Sequence, residues 1–237
     1  MISPDKHLIK LYVDAADVKS AISLKSNPLV KGFTTNPTLM RAAGVADYLT
    51  FAKLMVAAAH PYPVSLEVIA DDFKEMHRQA LILHNLGENV FVKIPVTNTK
   101  GEGSFGLIDE LAQEGVPQNV TAVMSSEQIE ESISALAEGP TSVLSIFAGR
   151  IADTGVNPTP IVAEAVFRSK GLPIEILWAS PRQIYNLVEA ESANCHIITL
   201  TPDLWKKLPL IGKDLNSYSL ETVEMFYRDA RTSGYKL

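Results

Sequence analysis

The sequence lacks two features that secreted proteins usually carry. Its 237 residues include a single cysteine, Cys195, so an internal disulfide cannot form. The first stretch, MISPDKHLIKLYVDAADV, contains no uninterrupted apolar segment of the kind that a signal peptide requires. These two absences lead us to expect a reducing, cytoplasmic location.

Basic charge and long apolar runs are also scarce. The chain has 21 Lys and Arg against 27 Asp and Glu, which gives a formal net charge of -6. A chain with no basic patch is poorly suited to the backbone of a nucleic acid. No apolar run approaches the ~18 residues that a membrane span needs. We therefore expect no nucleic-acid partner and no membrane partner.

Signals for a metal or a nucleotide site are weak. His77 and His84 fall on one face of a predicted helix, but the sequence offers no third ligand beside them. The GEGSFG stretch at 101–106 has the glycines of a phosphate-binding loop without the lysine and Ser/Thr that end a P-loop. We predict no metal and no cofactor.

The chain does contain a regular alternation of short β-branched runs with segments of helical period. Hydrophobic residues make up 46% of it, which is enough for one sizeable core. Eight βα units in about 200 residues favour a parallel eight-stranded (β/α)8 TIM barrel over an open sheet. We expect a single domain over residues 1–237. The runs predicted as strands are 8–16, 30–36, 63–69, 90–96, 118–124, 142–149, 173–180 and 195–201.

The segments between the strands carry helix signals. In SSEQIEESISALAEG, Ser125 and Gln128 form a possible capping box at the start of a helix that stops at Gly139. After the eighth strand, an extension over about 203–237 adds a further helix. Its apolar residues could cover the barrel or a neighbouring subunit; they are Leu220, Val223, Phe226 and Tyr227.

Polar residues interrupt the strands near their C-terminal ends, where the active sites of such barrels gather. Lys93 in VFVKIPV is the most unusual, because a lysine among apolar neighbours must reach solvent, pair with a carboxylate, or sit in a dry pocket as a neutral amine. Asp14 and Glu67 taken singly are ordinary rim acids. Together, the three would place one amine and two carboxylates at one barrel mouth. The other polar residues at this end are Thr34, Thr35, Asn36, Asn119, Thr121, Ser145, Arg150, Ser180 and Arg182.

An amine in that setting suits imine formation with a ketone. The nucleophile is the neutral amine, which apolar surroundings favour over the ammonium form. A protonated imine withdraws electrons, so that a neighbouring carbon–carbon bond can break. Retro-aldol cleavage of this kind needs a base for a hydroxyl proton and an acid/base for a water, and two carboxylates meet those needs. Nearby amides and hydroxyls would hold sugar hydroxyls, while Arg150 and Arg182 suit a phosphate.

These residues lie in motifs that resemble the transaldolase family of class I Schiff-base enzymes. The similarity runs from about residue 11 to 201, and the chain is closest in length to the short members, which include the fructose-6-phosphate aldolases. The resemblance implies a (β/α)8 barrel that needs no metal. The motifs, in order and one strand apart, are LYVDAAD, GFTTNPT, SLEV, VFVKIPVT, NVTAVMS, SIFAGRIAD and WASPRQ.

The resemblance also implies a role for each candidate residue. Lys93 would form the Schiff base, Asp14 would be the acid/base at the scissile carbon–carbon bond, and Glu67 with Thr121 would hold and activate the catalytic water. The substrate-binding residues would be Asn36, Asn119 and Ser145 for the dihydroxyacetone part, Arg150 and Arg182 for the phosphates, and Phe147 and Ser180 beside them.

Two positions bear on the reaction within the family. The aldolase branch has a glutamine in place of Glu67 and a tyrosine in place of Phe147, so this chain resembles a transaldolase. That reaction moves a dihydroxyacetone unit between sugar phosphates. The longer members carry an SFRN-like stretch after strand seven, and Ser180-Pro181-Arg182-Gln183 keeps its serine-to-arginine spacing.

Two alternatives to a transaldolase remain open at this point. One is a class I aldolase of the fructose-6-phosphate type. The other is a non-catalytic phosphosugar-binding barrel in which Lys93 is merely paired with Glu67 or Asp14. The short relatives form rings of subunits, so the resemblance further implies a homo-oligomer, a pentamer or a decamer.

Overall fold

Eight parallel strands close into a barrel in the computed structural model, which describes residues 9–15 and 17–236. Each strand pairs with its neighbours in the chain, and β8 returns to β1. The predicted (β/α)8 barrel is therefore confirmed, while residues 8 and 16 of the first predicted strand lie outside the described residues. The strands are β1 (Lys10–Asp14), β2 (Val30–Thr34), β3 (Val64–Glu67), β4 (Val90–Pro95), β5 (Gln118–Val123), β6 (Ser142–Ile146), β7 (Ile174–Trp178) and β8 (Ile197–Leu200).

Helices follow the strands and surround the barrel. Two helices, separated by a 3-10 turn at Leu208–Leu210, come after the last strand. The helices are α1 (Val18–Lys25), α2 (Pro37–Ala42), α3 (Tyr48–Ala59), α4 (Phe73–His84), α5 (Phe105–Gln113), α6 (Ser126–Leu136), α7 (Ala148–Asp153), α8 (Thr159–Arg168), α9 (Asn186–Ser192), α10 (Pro202–Trp205) and α11 (Leu215–Thr232).

Capping side chains fix where several helices begin. The predicted capping box is confirmed at α6, because Ser125 Oγ accepts a hydrogen bond from Gln128 N at 3.2 Å and Gln128 Oε1 accepts one from Ser125 N at 3.1 Å. The predicted strand 30–36 ends early, at Thr34, because Asn36 caps α2 and Pro37 is its first residue. This early end leaves Asn36 at the mouth of the barrel.

Strand residues alternate between the two faces of the barrel wall. One face packs against the helices and forms the main core, in which Val13, Val92 and Val120 are fully buried. The other face points into the barrel. On this face lies a separate apolar cluster, named here the lumen cluster, with Phe91 and Phe147 packed against it. Its buried members are Tyr12, Val143, Leu177, Ala179 and Ile197.

The terminal helix α11 lies apart from this core. None of its residues is buried, and Leu220, Val223 and Phe226 are 60%, 60% and 62% exposed. Of the two alternatives for its apolar face, covering the barrel is therefore wrong for the single chain, and covering a neighbouring subunit stays a prediction. Within residues 9–15 and 17–236, no helix combines the length and the apolar character needed to cross a membrane.

Candidate active site

A cavity of about 380 Å³ lies where the strands end and the βα loops begin. Every residue predicted for the site lines it: Asp14, Asn36, Glu67, Lys93, Asn119, Thr121, Ser145, Phe147, Arg150, Ser180 and Arg182. A larger cavity of about 720 Å³, at the opposite end of the barrel, is lined by none of these residues. The structure thus brings together side chains that come from seven strands and from the segments that follow them.

Lys93 is buried in the wall of this cavity, with 6% of its surface exposed. It pairs in register with Glu67 on the neighbouring strand, and its Nζ lies 3.0 Å from Glu67 Oε2. Nζ also donates a hydrogen bond of 2.8 Å to the carbonyl oxygen of Thr35. Of the three environments predicted for this lysine, the structure shows the second, in which the amine pairs with a carboxylate. Both side chains of this pair are largely buried.

Asp14 lies at the end of β1 and accepts two hydrogen bonds. Thr34 Oγ1 donates to one carboxylate oxygen at 3.0 Å, and Asn36 Nδ2 donates to the other at 3.1 Å. Burial raises the pKa of Asp14 above its usual range, and the charge of Glu67 adds to this effect. Lys93 and the two hydrogen bonds act in the opposite direction. A carboxyl with a raised pKa is suited to exchange protons near neutral pH.

Thr199 belongs to this network, although the sequence analysis did not propose it. Its Oγ1 lies 2.6 Å from Thr34 Oγ1 and it lines the cavity. A hydroxyl has one proton to donate, so while Thr34 donates to the ionised Asp14 carboxylate, Thr199 is the donor in this pair. The signal in the sequence was a single threonine in the apolar run IITL, whose proximity to Asp14 follows only from barrel closure.

The wall formed by β5 and β6 carries a second hydrogen-bonded chain. Ser145 Oγ donates to Asn119 Oδ1 at 2.6 Å, and Asn119 Nδ2 donates to Ser65 Oγ at 2.9 Å. Thr121 Oγ1 is buried and has no hydrogen-bond partner among the described residues. An unpaired buried hydroxyl at a cavity wall is available to a bound water or substrate hydroxyl.

An irregularity in β5 sets the direction of Thr121. Val120 pairs with Leu144 and Val123 with Ile146, so β5 has one more residue than β6 between these pairs. The residue at the bulge, Ala122, has a left-handed backbone with φ of 63°. Consequently Thr121 and Ala122, which are consecutive, both line the cavity.

The two predicted phosphate ligands have different surroundings. The Arg150 guanidinium lies 5.7 Å from the ring centroid of Phe147 and forms no ion pair within the described residues. Arg182 Nε lies 3.0 and 3.2 Å from the two carboxylate oxygens of Asp153, and Nη2 also bonds this carboxylate. Asp153 was not among the predicted site residues.

The loop that carries Ser180 and Arg182 is held at an unusual geometry. Ser180 has a φ of 59°, a left-handed conformation that costs energy for a residue other than glycine. A Cβ atom at Gly149 would lie 1.7 Å from the Ser180 carbonyl oxygen, so only glycine permits this approach. Asn186 Oδ1 accepts hydrogen bonds from the backbone of Arg182 at 2.7 Å and of Gln183 at 3.0 Å. Both sides of the loop are thereby fixed.

The surface histidine His77 lies outside the barrel mouth. Its Nε2 lies 3.1 Å from Glu114 Oε2 and 3.9 Å from Glu110 Oε1, so two possible further ligands accompany it where the sequence analysis found none. His84 is not part of this group. Hydrogen bonding between imidazole and carboxylate accounts for the proximity, and exposed glutamates beside a histidine do not by themselves define a metal site.

The fold and the cavity define a class: a (β/α)8 barrel whose mouth combines one buried amine, two carboxylates and two arginines. Its sequence matches the profile of the Transaldolase/Fructose-6-phosphate aldolase family over residues 11–236. The chain belongs to this family. Membership makes it an enzyme of the transferase or aldolase type, and the resemblance noted in the sequence is confirmed.

Individual relatives agree with this assignment. A probable transaldolase of Brucella ovis is 32% identical over 215 residues, covering 89% of this chain and 94% of the relative. A probable transaldolase of Methanococcus maripaludis is 34% identical over 202 residues, covering 84% of this chain and 89% of the relative.

Solved structures support the fold alone. A putative phosphonomutase from Burkholderia cenocepacia superposes with a TM-score of 0.59 at 10% identity, over 93% of this chain and 94% of that one. KGPDC from Streptococcus mutans gives a TM-score of 0.56 at 8% identity, over 82% of this chain and 88% of that one.

Proposed function

We propose that this protein is a transaldolase that transfers a dihydroxyacetone unit between sugar phosphates through a Schiff base on Lys93. The reaction converts sedoheptulose 7-phosphate and glyceraldehyde 3-phosphate to erythrose 4-phosphate and fructose 6-phosphate, and the reverse. The observation that carries the proposal is the buried Lys93 amine, 3.0 Å from the Glu67 carboxylate, in the same cavity as Asp14.

Imine formation begins with loss of a proton from Lys93, and Glu67 is the carboxylate near enough to accept it. The neutral amine attacks the ketone carbon of the donor sugar to give a carbinolamine. Loss of water from that intermediate gives the protonated imine. The unpaired hydroxyl of Thr121 and the Glu67 carboxylate are the groups we assign to this water.

Carbon–carbon cleavage is assigned to Asp14. As a base, it removes the proton from the hydroxyl two carbons from the imine, the bond between those carbons breaks, and its electron pair moves into the imine to give an enamine. An aldehyde leaves, and the acceptor aldehyde takes its place. Asp14 then returns the proton to the new alkoxide, and the raised pKa of this carboxyl supports both halves of the exchange.

The remaining cavity residues are assigned to binding. Asn36, Asn119 and Ser145 would contact the hydroxyls of the dihydroxyacetone part, since each presents an amide or hydroxyl at the cavity wall. Arg150 and Arg182 would bind the phosphate by charge-assisted hydrogen bonds. Phe147 and Ser180 would complete the wall between these two ends.

Transfer is favoured over hydrolysis of the enamine by the composition of the wall. Phe147 brings a ring without a hydroxyl and packs against the apolar lumen cluster, so that this part of the wall offers no group to orient a second water. Glu67 and Phe147 both differ from the aldolase branch of the family, and the relatives carry the name probable transaldolase. A class I aldolase is the second candidate.

Covalent trapping tests the imine. The protein is incubated with fructose 6-phosphate and borohydride, which reduces the imine to a stable amine. We expect a sugar-derived mass on the peptide that contains Lys93, read by mass spectrometry after digestion. Lys93→Ala should form no adduct, and Lys206→Ala, which removes an exposed surface lysine, should form the full amount.

Two results would contradict the proposal. A mass on another lysine, or none, would remove the imine mechanism and favour the non-catalytic barrel in which Lys93 only pairs with Glu67. With fructose 6-phosphate and erythrose 4-phosphate supplied together, free dihydroxyacetone as the main product would replace the transferase with the aldolase.

We also propose that the protein works as a homo-oligomer, in which the exposed apolar face of α11 packs on a neighbouring subunit. The support is that Val223 and Phe226 are 60% and 62% exposed, a costly state for apolar side chains in a single chain. Light scattering of the intact protein should give a multiple of the chain mass. Phe226→Asp should lower that mass, and Arg228→Asp, on the opposite face of the helix, should not.

A further inference from the structure

Arg182 has a side-chain partner that the proposed reaction does not use. We propose that Asp153 is a positioning residue at the end of the cavity that carries Arg150 and Arg182. Its carboxylate holds the Arg182 guanidinium beside Arg150, so that both cations face one phosphate. The inference rests on the proposed function, because it takes the bound molecule to be a sugar phosphate.

The contact between Asp153 and Arg182 has the geometry of a fork. Nε of Arg182 lies 3.0 and 3.2 Å from the two carboxylate oxygens, and Nη2 donates to one of them. A guanidinium has five N–H donors, and this arrangement occupies those on one edge. The Nη1 edge keeps its donors for an anion, and the plane of the group is fixed.

The backbone of Arg182 is fixed independently of this contact. Asn186 Oδ1 holds its backbone N–H at 2.7 Å, and Gly149 packs against the carbonyl of Ser180 two residues earlier. The Arg182 side chain nevertheless remains half-exposed, at 50%. A long side chain with a fixed base and an exposed end loses its remaining rotamer freedom only through a contact at the guanidinium. Asp153 supplies that contact.

Helix spacing explains why Asp153 is suited to bring the two arginines together. Arg150 and Asp153 are three residues apart on α7, so their side chains project from neighbouring positions on one helix face. Asp153 could pair with Arg150 from that position. It pairs instead with Arg182 from the loop after β7, and Arg150 stays over the ring of Phe147. One short helix therefore contributes one phosphate ligand directly and orients the second.

Electrostatics support the same role. Two guanidinium groups converging on one site repel each other until the phosphate arrives, and a carboxylate beside them offsets that repulsion. The two arginines and Asp153 sum to one net positive charge, so the site still attracts a phosphate monoester, which carries a charge of about -1.5 to -2 near neutral pH.

The effect of Asp153 on phosphate binding can be measured without the reaction in a protein that cannot form the imine. In the Lys93→Ala background, calorimetry gives the dissociation constants of fructose 6-phosphate and of unphosphorylated fructose. The proteins compared are the background itself, which keeps Asp153, and its Asp153→Ala, Asp153→Asn and Asp153→Glu variants. We expect Asp153→Ala to weaken fructose 6-phosphate by about fivefold more than fructose. Asp153→Asn should lie between, because the amide keeps one acceptor, and Asp153→Glu should recover most of the binding.

Coupling to Arg182 and a matched ion pair provide the controls. In a protein that already carries Arg182→Ala, adding Asp153→Ala should have little further effect. Glu164→Ala removes a carboxylate that faces Arg168 at 2.7 Å with a similar exposure on α8, and should change neither constant. Since exposed ion pairs add little to stability, all of these variants should fold.

Three outcomes would overturn the role. Equal weakening of fructose and fructose 6-phosphate would make Asp153 a structural residue. Tighter binding of fructose 6-phosphate to Asp153→Ala would make it a competitor of the phosphate, and an undiminished effect in the Arg182→Ala background would show that it does not act through Arg182. The reaction is tested separately, because borohydride trapping in the wild type can fail while these binding differences persist.

Discussion

The inside of the barrel has two layers that lie next to each other and differ in polarity. One layer is the apolar lumen cluster, of which Leu177 and Ala179 also line the cavity. The layer nearer the strand ends is the polar cavity, in which charged and hydroxyl groups meet. The same strands supply both, two residues apart, in the pairs Tyr12 and Asp14, Phe91 and Lys93, Val143 and Ser145, and Ile197 and Thr199.

The contrast shows how one strand serves stability and chemistry at once. Side chains that point into the barrel recur every second residue, so a step of two changes the layer without changing the direction. The buried side chains of the lumen cluster place apolar groups beside the cavity. Charges in the cavity then act on one another in a medium that screens them less than water does. We expect substitutions in the polar layer to lower activity more than stability, and substitutions in the lumen cluster to do the reverse.

The largest effect is expected from Asp14→Asn in the polar layer. Loss of a general acid/base should lower kcat by about 10²- to 10⁴-fold. Burial makes the ionised carboxyl unfavourable in the folded state, so the same variant should be more stable than the wild type at neutral pH. Steady-state kinetics and urea denaturation on the same samples measure both effects.

The stability gain should depend on pH with a defined sign. The pKa of Asp14 is raised on folding. Its contribution to the free energy of unfolding is therefore fully present below the pKa of the unfolded state, and it is lost as pH rises through the pKa of the folded state. The difference between Asp14→Asn and wild type should therefore grow from about pH 4 upwards. An Asp14→Asn variant that is less stable than the wild type at neutral pH would show that the ionised Asp14 carboxyl does not destabilise the fold.

The opposite signature is expected from Ile197→Ala in the lumen cluster. Ile197 is fully buried, and truncating such a side chain should lower the free energy of unfolding by about 2–5 kcal/mol. Since no reacting group is removed, the folded fraction should still form the borohydride-reduced adduct on Lys93. Loss of that adduct in fully folded Ile197→Ala protein would mean that the lumen cluster also contributes to the reaction.

A smaller effect is expected at the rim, above both layers. Arg150→Ala should remove a charge-assisted contact of about 1.5–3 kcal/mol and raise KM for sugar phosphates about tenfold or more. Arg182→Ala should raise it by a similar factor, because Asp153 occupies only one edge of that guanidinium and the other edge keeps its donors for the phosphate. KM for unphosphorylated ketoses is the comparison. Equal changes in KM for both kinds of ketose would show that these arginines do not bind the phosphate.

The smallest effect concerns Phe147, which belongs to both layers because it packs on the lumen cluster and lines the cavity. Phe147→Tyr adds one hydroxyl that can orient water, so a larger share of the donor should be released as free dihydroxyacetone. Combining it with Glu67→Gln should increase that share further. Product analysis with and without erythrose 4-phosphate measures the partition, and Phe147→Leu serves as the apolar control.

Much of this architecture could be predicted because it depends on local pattern. The alternation of β-branched runs located all eight strands, and Ser125 with Gln128 located the start of α6. The gathering of Asp14, Glu67 and Lys93 followed from strand order alone, because parallel strands of a barrel end on one side.

Other features depend on contacts between distant parts of the chain. The pairing of Thr199 with Thr34 requires the closure of β8 onto β1. The pairing of Asp153 with Arg182 joins an α7 side chain to the loop after β7, and nothing in either segment indicates the other. The left-handed backbone of Ser180 is similarly invisible, because serine has no preference for that conformation.

The extra residue in β5 places Ala122 against both the cavity and the outer core. In a regular strand, alternate residues face the pocket and the outer core. A residue inserted at a bulge falls outside this alternation. Ala122 lines the cavity, while Val123 after it returns to the outer core. A larger side chain there would therefore change the cavity and the adjoining core packing together, and the left-handed backbone favours glycine, asparagine or aspartate. At this position the shape of the cavity is thus tied to the packing of the barrel wall.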